Sequence, residues 1–123
     1  MVLGEVEINT AIRDEIISFF TEVFDASRHD AGNGTVLQFS KDLGLRLRLL
    51  DDHENIVNNQ MRVSFQLRDL LELEETHSNI QFFLYRRSEK RFGPSLIESD
   101  ENRSFFIYTD LEQREWLFYC FKQ

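Results

Sequence analysis

At Ala31-Gly32-Asn33-Gly34 the hydrophobic period of the chain changes, and with it the kind of element the chain can form. Before this point Ile12, Ile16, Phe19, Phe20 and Val23 recur at the spacings of one helical face, which Ile17 and Phe24 widen. The spacing predicts a long helix over residues 10–27. Asn9 or Thr10 caps its start, Asp14 and Glu15 lie near the positive end of its dipole, and Arg28 and His29 lie near the negative end. After the break the period is two. Leu37 and Phe39 alternate with Gln38 and Ser40, the leucines of 45–49 alternate with Arg46 and Arg48, and Met61, Val63, Phe65 and Leu67 alternate with Arg62, Ser64, Gln66 and Arg68. Three half-buried strands are expected, and their short connections favour an antiparallel meander.

Residues 69–77 combine Leu70, Leu71 and Leu73 with Glu72, Glu74 and Glu75 and read as a short helical turn. Residues 80–86 and 104–109 read as strands from their aromatic and β-branched content. Both faces of these strands are apolar: Ile80, Phe82 and Leu84 oppose Phe83 and Tyr85, and Phe105 and Ile107 oppose Phe106 and Tyr108. Such strands need covering on both sides, by a helix or by another subunit. The C-terminal stretch has two readings. Asp110-Leu111-Glu112-Gln113 resembles a capping box and favours a helix, whereas Trp116 to Phe121 is aromatic enough for a strand. Helix is preferred, because no Gly, Asn or Pro lies between Asp110 and Trp116 to turn a hairpin. The expected fold class is thus α+β, a long N-terminal helix packed on an antiparallel sheet of about five strands, with a C-terminal helix.

A length of 123 residues suits a single domain, residues 1–123. Twelve Phe within a 41% hydrophobic composition supply enough apolar surface to offset the entropy of ordering the chain. The formal charge of −8, from 14 basic and 22 acidic residues, repels phosphate backbones and anionic lipid, so neither nucleic acid nor membrane is expected as a partner. The N-terminal stretch lacks the basic start and apolar run of a signal peptide, and no apolar run approaches the roughly 20 residues that cross a bilayer. A soluble, cytoplasmic protein is expected, and a single Cys suits a reducing compartment.

No catalytic residue, metal site or cofactor is assigned from the sequence. His29, His53 and His77 fall in polar loops or at element ends, and Cys120 sits in an aromatic segment where a thiol behaves as a small buried hydrophobe. Asp51-Asp52-His53-Glu54 is dense in ligand atoms but lacks the spacing of a calcium loop and reads as a solvated acidic loop. Gly32-Asn33-Gly34 lacks the Lys and the strand-to-helix context of a phosphate loop.

Two basic groupings stand out on the acidic background. Arg86, Arg87, Lys90 and Arg91 cluster in sequence, and Arg46, Arg48, Arg62 and Arg68 alternate outward on strands expected to be neighbours, where they form one surface for a carboxylate-bearing partner. With the aromatic residues Phe83, Tyr85, Phe106 and Tyr108, these four arginines are the expected partner-binding residues. The element order of helix, three strands, short helix, two strands and helix, with the Leu43-Gly44-Leu45 tripeptide, resembles the class I type III secretion chaperones. That resemblance implies a homodimer that binds an extended segment of a protein partner. The leading functional expectation is a small acidic, non-enzymatic binding protein, homodimeric. The alternatives are a small-molecule-binding or catalytic α+β domain with a Phe-lined pocket, and a secretion-chaperone-like or immunity protein that binds a basic partner.

Overall fold

A computed structural model describes residues 5–32, 34–39, 46–51, 62–87 and 93–123. The chain is an α+β protein that divides into two compact units, residues 1–56 and 57–123. Among the described residues there are two helices and eight strands, in two four-stranded sheets.

The N-terminal unit holds β1 (Val6–Thr10), α1 (Arg13–Phe24), β2 (Ser27–Ala31), β3 (Gly34–Gln38) and β4 (Arg46–Asp51), with sheet order β1-β4-β3-β2. The C-terminal unit holds β5 (Arg62–Gln66), α2 (Leu70–Arg86), β6 (Glu98–Ser99), β7 (Arg103–Thr109) and β8 (Glu115–Phe121), with sheet order β5-β8-β7-β6. Each unit is therefore the same βαβββ topology, in which the first strand pairs in parallel with the last and the other pairings are antiparallel. The expected single sheet under one long N-terminal helix is corrected to two sheets, each with a helix of its own.

Three local causes account for the differences. First, the chain opens with a strand. Ile8 and Thr10 of β1 are buried while Glu7 and Asn9 are exposed, and a hydrogen bond from Ile12 N to Thr10 Oγ1, 3.0 Å, turns the chain into α1. The helix is shorter than 10–27 because Asp25 adopts a left-handed conformation (φ 55°) and its N–H bonds back to Phe20 O, freeing Ser27–Ala31 to pair with β3.

Second, residues 80–86 are helix. Leu73, Thr76, Ile80, Phe83 and Leu84 are buried at helical spacing across the whole of α2, so the polar His77-Ser78-Asn79 that divides the segment by eye lies within one helix. Asp69 starts it by accepting a hydrogen bond from Glu72 N at 2.9 Å. Aromatic content favours strands only where a sheet edge is available to pair.

Third, the expected C-terminal helix is β8. Asp110 makes the turn that no Gly or Pro supplies: its Oδ1 accepts from Glu112 N at 2.8 Å and Arg114 N at 3.0 Å, and Gln113 takes a positive φ of 63°. With these corrections, the element order behind the secretion-chaperone likeness is not that of the structure.

Each helix covers one face of its sheet. In the first unit Phe20 packs edge-on against Phe39, centroids 4.9 Å apart, over Ile8, Leu37, Leu47 and Leu49, all nearly or fully buried. In the second, α2 lies on β7 and β8, with the His77 ring edge-on to Phe106 at 5.0 Å. Beneath it Phe106 stacks on Phe118 and Phe118 on Phe65. Chain alternation sends the intervening residues to the opposite, helix-free faces.

Candidate functional site

The helix-free face of the C-terminal sheet carries polar and aromatic groups in register. β5 turns Arg62, Ser64 and Gln66 to this face, and β8 sets Glu115, Leu117 and Tyr119 directly beside them. Arg62 Nη2 donates to Glu115 Oε1 at 2.6 Å, and both side chains remain nearly half exposed. Further along the strands the Arg103 guanidinium lies over the rings of Phe105 and Tyr119, at 5.2 and 5.5 Å.

At the β7–β8 turn this face opens into a cleft of about 540 Å³. Its floor is Ile107, Thr109 and Glu115, its end wall Asp110, Leu111 and Gln113, and its side Gly93 and Ser95. The side wall is pinned: Ser95 N donates to Ile107 O at 2.8 Å, Ile107 N donates to Ser95 Oγ at 2.9 Å, and His77 Nε2 lies 2.8 Å from Ser95 O. The end wall is pinned by a buried charge cluster. Asp110 Oδ2 accepts from Arg114 Nη1 at 2.9 Å and from Trp116 Nε1 at 3.0 Å, and Arg114 also reaches Glu112 Oε1 at 3.4 Å. Arg114 has no exposed surface and the two acids are almost as buried. A buried guanidinium with its carboxylates satisfied fixes the turn, because losing one partner would strand the others away from water. The cleft thus presents hydroxyls from Ser95 and Thr109, one carboxylate from Glu115, the Gln113 amide and an apolar floor. These groups can orient a small polar molecule, and Glu115 is the group able to accept a proton from it.

The helix-free face of the N-terminal sheet also bears a charge pair, Arg48 with Glu5, in which Arg48 Nη2 lies 3.0 Å from Glu5 Oε1. Arg48 holds the Glu5 carboxyl below its ordinary pKa, and Glu5 in turn raises that of Arg48. Thr35 and Arg28 likewise depress Asp30.

The residues singled out from the sequence are dispersed. Arg46 and Arg48 share the helix-free face of β4, Arg62 lies on β5 in the other unit, and Arg68 precedes α2, 3.4 Å from Glu72. Phe83, Phe106 and Tyr108 are buried in the C-terminal core, and Tyr85 is exposed on α2. His53 and most of the 51–54 run lie outside the described residues, as do Lys90, Arg91 and Leu43-Gly44-Leu45. Among the described residues no group of three or more His, Cys, Asp or Glu is placed to hold a metal ion. Ser95, Thr109, Gln113 and Glu115 were missed; of these, Thr109 and Glu115 had a signal in the alternation of 103–109 and 115–121, which marks one face as inward and the other as free, whereas Ser95 and Gln113 lie outside both strands.

No protein-family model matches the chain, and no curated protein matches its sequence. Solved structures do match. The chain is similar to the fosfomycin resistance protein FosX of Listeria monocytogenes, with TM-score 0.72 and 10% identity over 98% of this chain and 93% of that one. It is similar to lactoylglutathione lyase of Agrobacterium tumefaciens, with TM-score 0.71 and 13% identity over 97% and 92%. It also matches a glyoxylase/bleomycin resistance protein/dioxygenase domain from Frankia sp. EAN1pec, with TM-score 0.72 and 10% identity over 100% and 93%.

The fold is of the glyoxalase/bleomycin-resistance type. The expectation of a non-enzymatic binding protein is corrected accordingly. Against that expectation stand the names the similar structures carry: fosfomycin resistance protein, lactoylglutathione lyase and glyoxylase/bleomycin resistance protein/dioxygenase domain. No helix among the described residues is long and apolar enough to cross a membrane.

Proposed function

We propose that the protein binds a small polar organic molecule in the cleft at the β7–β8 turn, with Glu115 as the proton-accepting group of a catalytic or ligand-orienting site. The observation that carries this reading is the convergence of Glu115, Thr109, Ser95 and Gln113 on one cleft whose walls are independently pinned. Preorganised polar groups over an apolar floor are what small-molecule sites share. The fold likeness supports the reading, since the same architecture occurs in proteins named fosfomycin resistance protein and lactoylglutathione lyase.

The test is a small-molecule screen read by protein NMR. Hits are expected to shift the amides of Thr109, Leu111, Gln113 and Glu115, and Glu115→Gln or Thr109→Val should weaken them about tenfold, as for loss of one charged hydrogen bond. Hits that map elsewhere, or that are indifferent to both substitutions, would overturn the assignment.

Self-association belongs to the same reading: we propose a homodimer, for which light scattering at tens of micromolar should return twice the chain mass. We place the protein in the cytoplasm on the strength of its single, buried cysteine, a placement that cell fractionation would check.

A further inference from the structure

The C-terminal unit has a second cleft, of about 560 Å³, at the opposite end of β7 and β8 from the first. Leu70 and Leu71 from the start of α2 line it, together with Phe121 from the end of β8. These are 48%, 65% and 54% exposed, three of the seven large hydrophobics so exposed among the described residues, and they gather at one place. Burying such side chains is favourable in proportion to area, so their collection around a concavity favours an apolar occupant.

The polar groups at the same cleft narrow the choice. Ser99 and Ser104 face each other with hydroxyls 2.9 Å apart, a pair able to donate to a bound oxygen. Lys122 also lines the cleft, and among the described residues no carboxylate side chain pairs with it. Asp69, the acid nearest in the lining, is already engaged: it caps α2 through Glu72 N and lies 3.9 Å from Arg68. Among the charged side chains of the lining, the one without a partner is thus the positive Lys122, on a protein whose net charge is −8.

We infer that this cleft is a second ligand site, distinct from the first, for an amphiphilic organic anion: an apolar body against Leu70, Leu71 and Phe121, with a carboxylate or sulfonate at Lys122.

The probe is 1-anilinonaphthalene-8-sulfonate, an anion of this class whose fluorescence rises in apolar surroundings. Leu71→Asp should raise its Kd about tenfold, equivalent to about 1.4 kcal/mol, and Lys122→Glu should raise it severalfold. Leu96→Asp, at an exposed leucine outside the cleft, should leave it unchanged. Because the substituted side chains are exposed, melting curves should match the parent and separate lost binding from lost folding. Equal affinity in all three variants would overturn the site. A concentration-dependent dimer abolished by Leu71→Asp would overturn it in favour of a second copy of the chain.

Discussion

At the scale of single residues, the turn between β7 and β8 concentrates the cost and the consequence. Among the described residues Arg114 is the basic group of its buried cluster, so Arg114→Ala removes from Asp110 and Glu112 the cation they share. We predict a loss of about 3–5 kcal/mol in urea-induced unfolding, the range for breaking a buried pair by removing one partner. A loss under 1 kcal/mol would show that the cluster is relaxed by solvent. Gln113, at φ 63°, is the reverse case: a non-glycine residue in the left-handed region carries about 1 kcal/mol of strain. Gln113→Gly should therefore raise the midpoint slightly despite the added chain entropy. None of this was legible in the sequence. The rule that a hairpin announces itself by Gly, Asn or Pro fails here because an aspartate side chain, folding back onto two amides, does the same geometric work.

At the scale of elements, the sequence was most legible where one face is wet. Residues 46–49 and 62–66 show clean alternation because their outward residues are Arg, Ser and Gln, and both are strands. It was least legible where an element is apolar on several sides. The Phe82 and Tyr85 rings on the outer side of α2 disguise a helical period as a two-sided strand, although Leu73, Thr76, Ile80 and Phe83 carry that period plainly. The candidate site was hidden for a related reason: its residues come from strand positions whose role depends on which face the helix takes. One position tests the strand assembly directly. A Cβ on Gly34 would sit 2.7 Å from Leu49 O and 2.9 Å from Leu50 Cδ2, so β3 approaches β4 as closely as it does only because residue 34 has no side chain. Gly34→Ala must push these strands apart, and we predict a destabilisation of about 1–3 kcal/mol by thermal unfolding. An unchanged melting temperature would mean that the strands shift at no cost.

At the scale of the whole molecule, charge sets the response to acid. Glu5, Asp30 and Asp100 all have carboxyl pKa values depressed in the folded state, Asp100 chiefly by the backbone N–H groups of Asn102 and Arg103. A carboxyl depressed on folding stabilises fully above its unfolded pKa, and that contribution disappears as pH falls through the folded one. Stability should therefore hold from neutrality down to roughly pH 4 and decline below it. The stability gap between the parent and Asp100→Asn should close over the same interval. A gap that stays constant down to pH 2 would show that the charge on Asp100 is immaterial. Net charge and length alone pointed to one acidic domain; they carried no sign that the chain repeats its topology, because the two halves share an order of elements and not a pattern of residues.

The parallel pairing of first strand with last has a consequence for synthesis on the ribosome. The Glu5–Arg48 and Arg62–Glu115 contacts span 43 and 53 residues of chain. Neither β1 nor β5 can find its neighbour by local zippering; each must wait, edge exposed, until the far end of its own unit has emerged. Loss of β8 by early termination would accordingly take away the strand that pairs with both β5 and β7, leaving them with no shared neighbour. The C-terminal unit is most vulnerable to misassociation just before β8 is made.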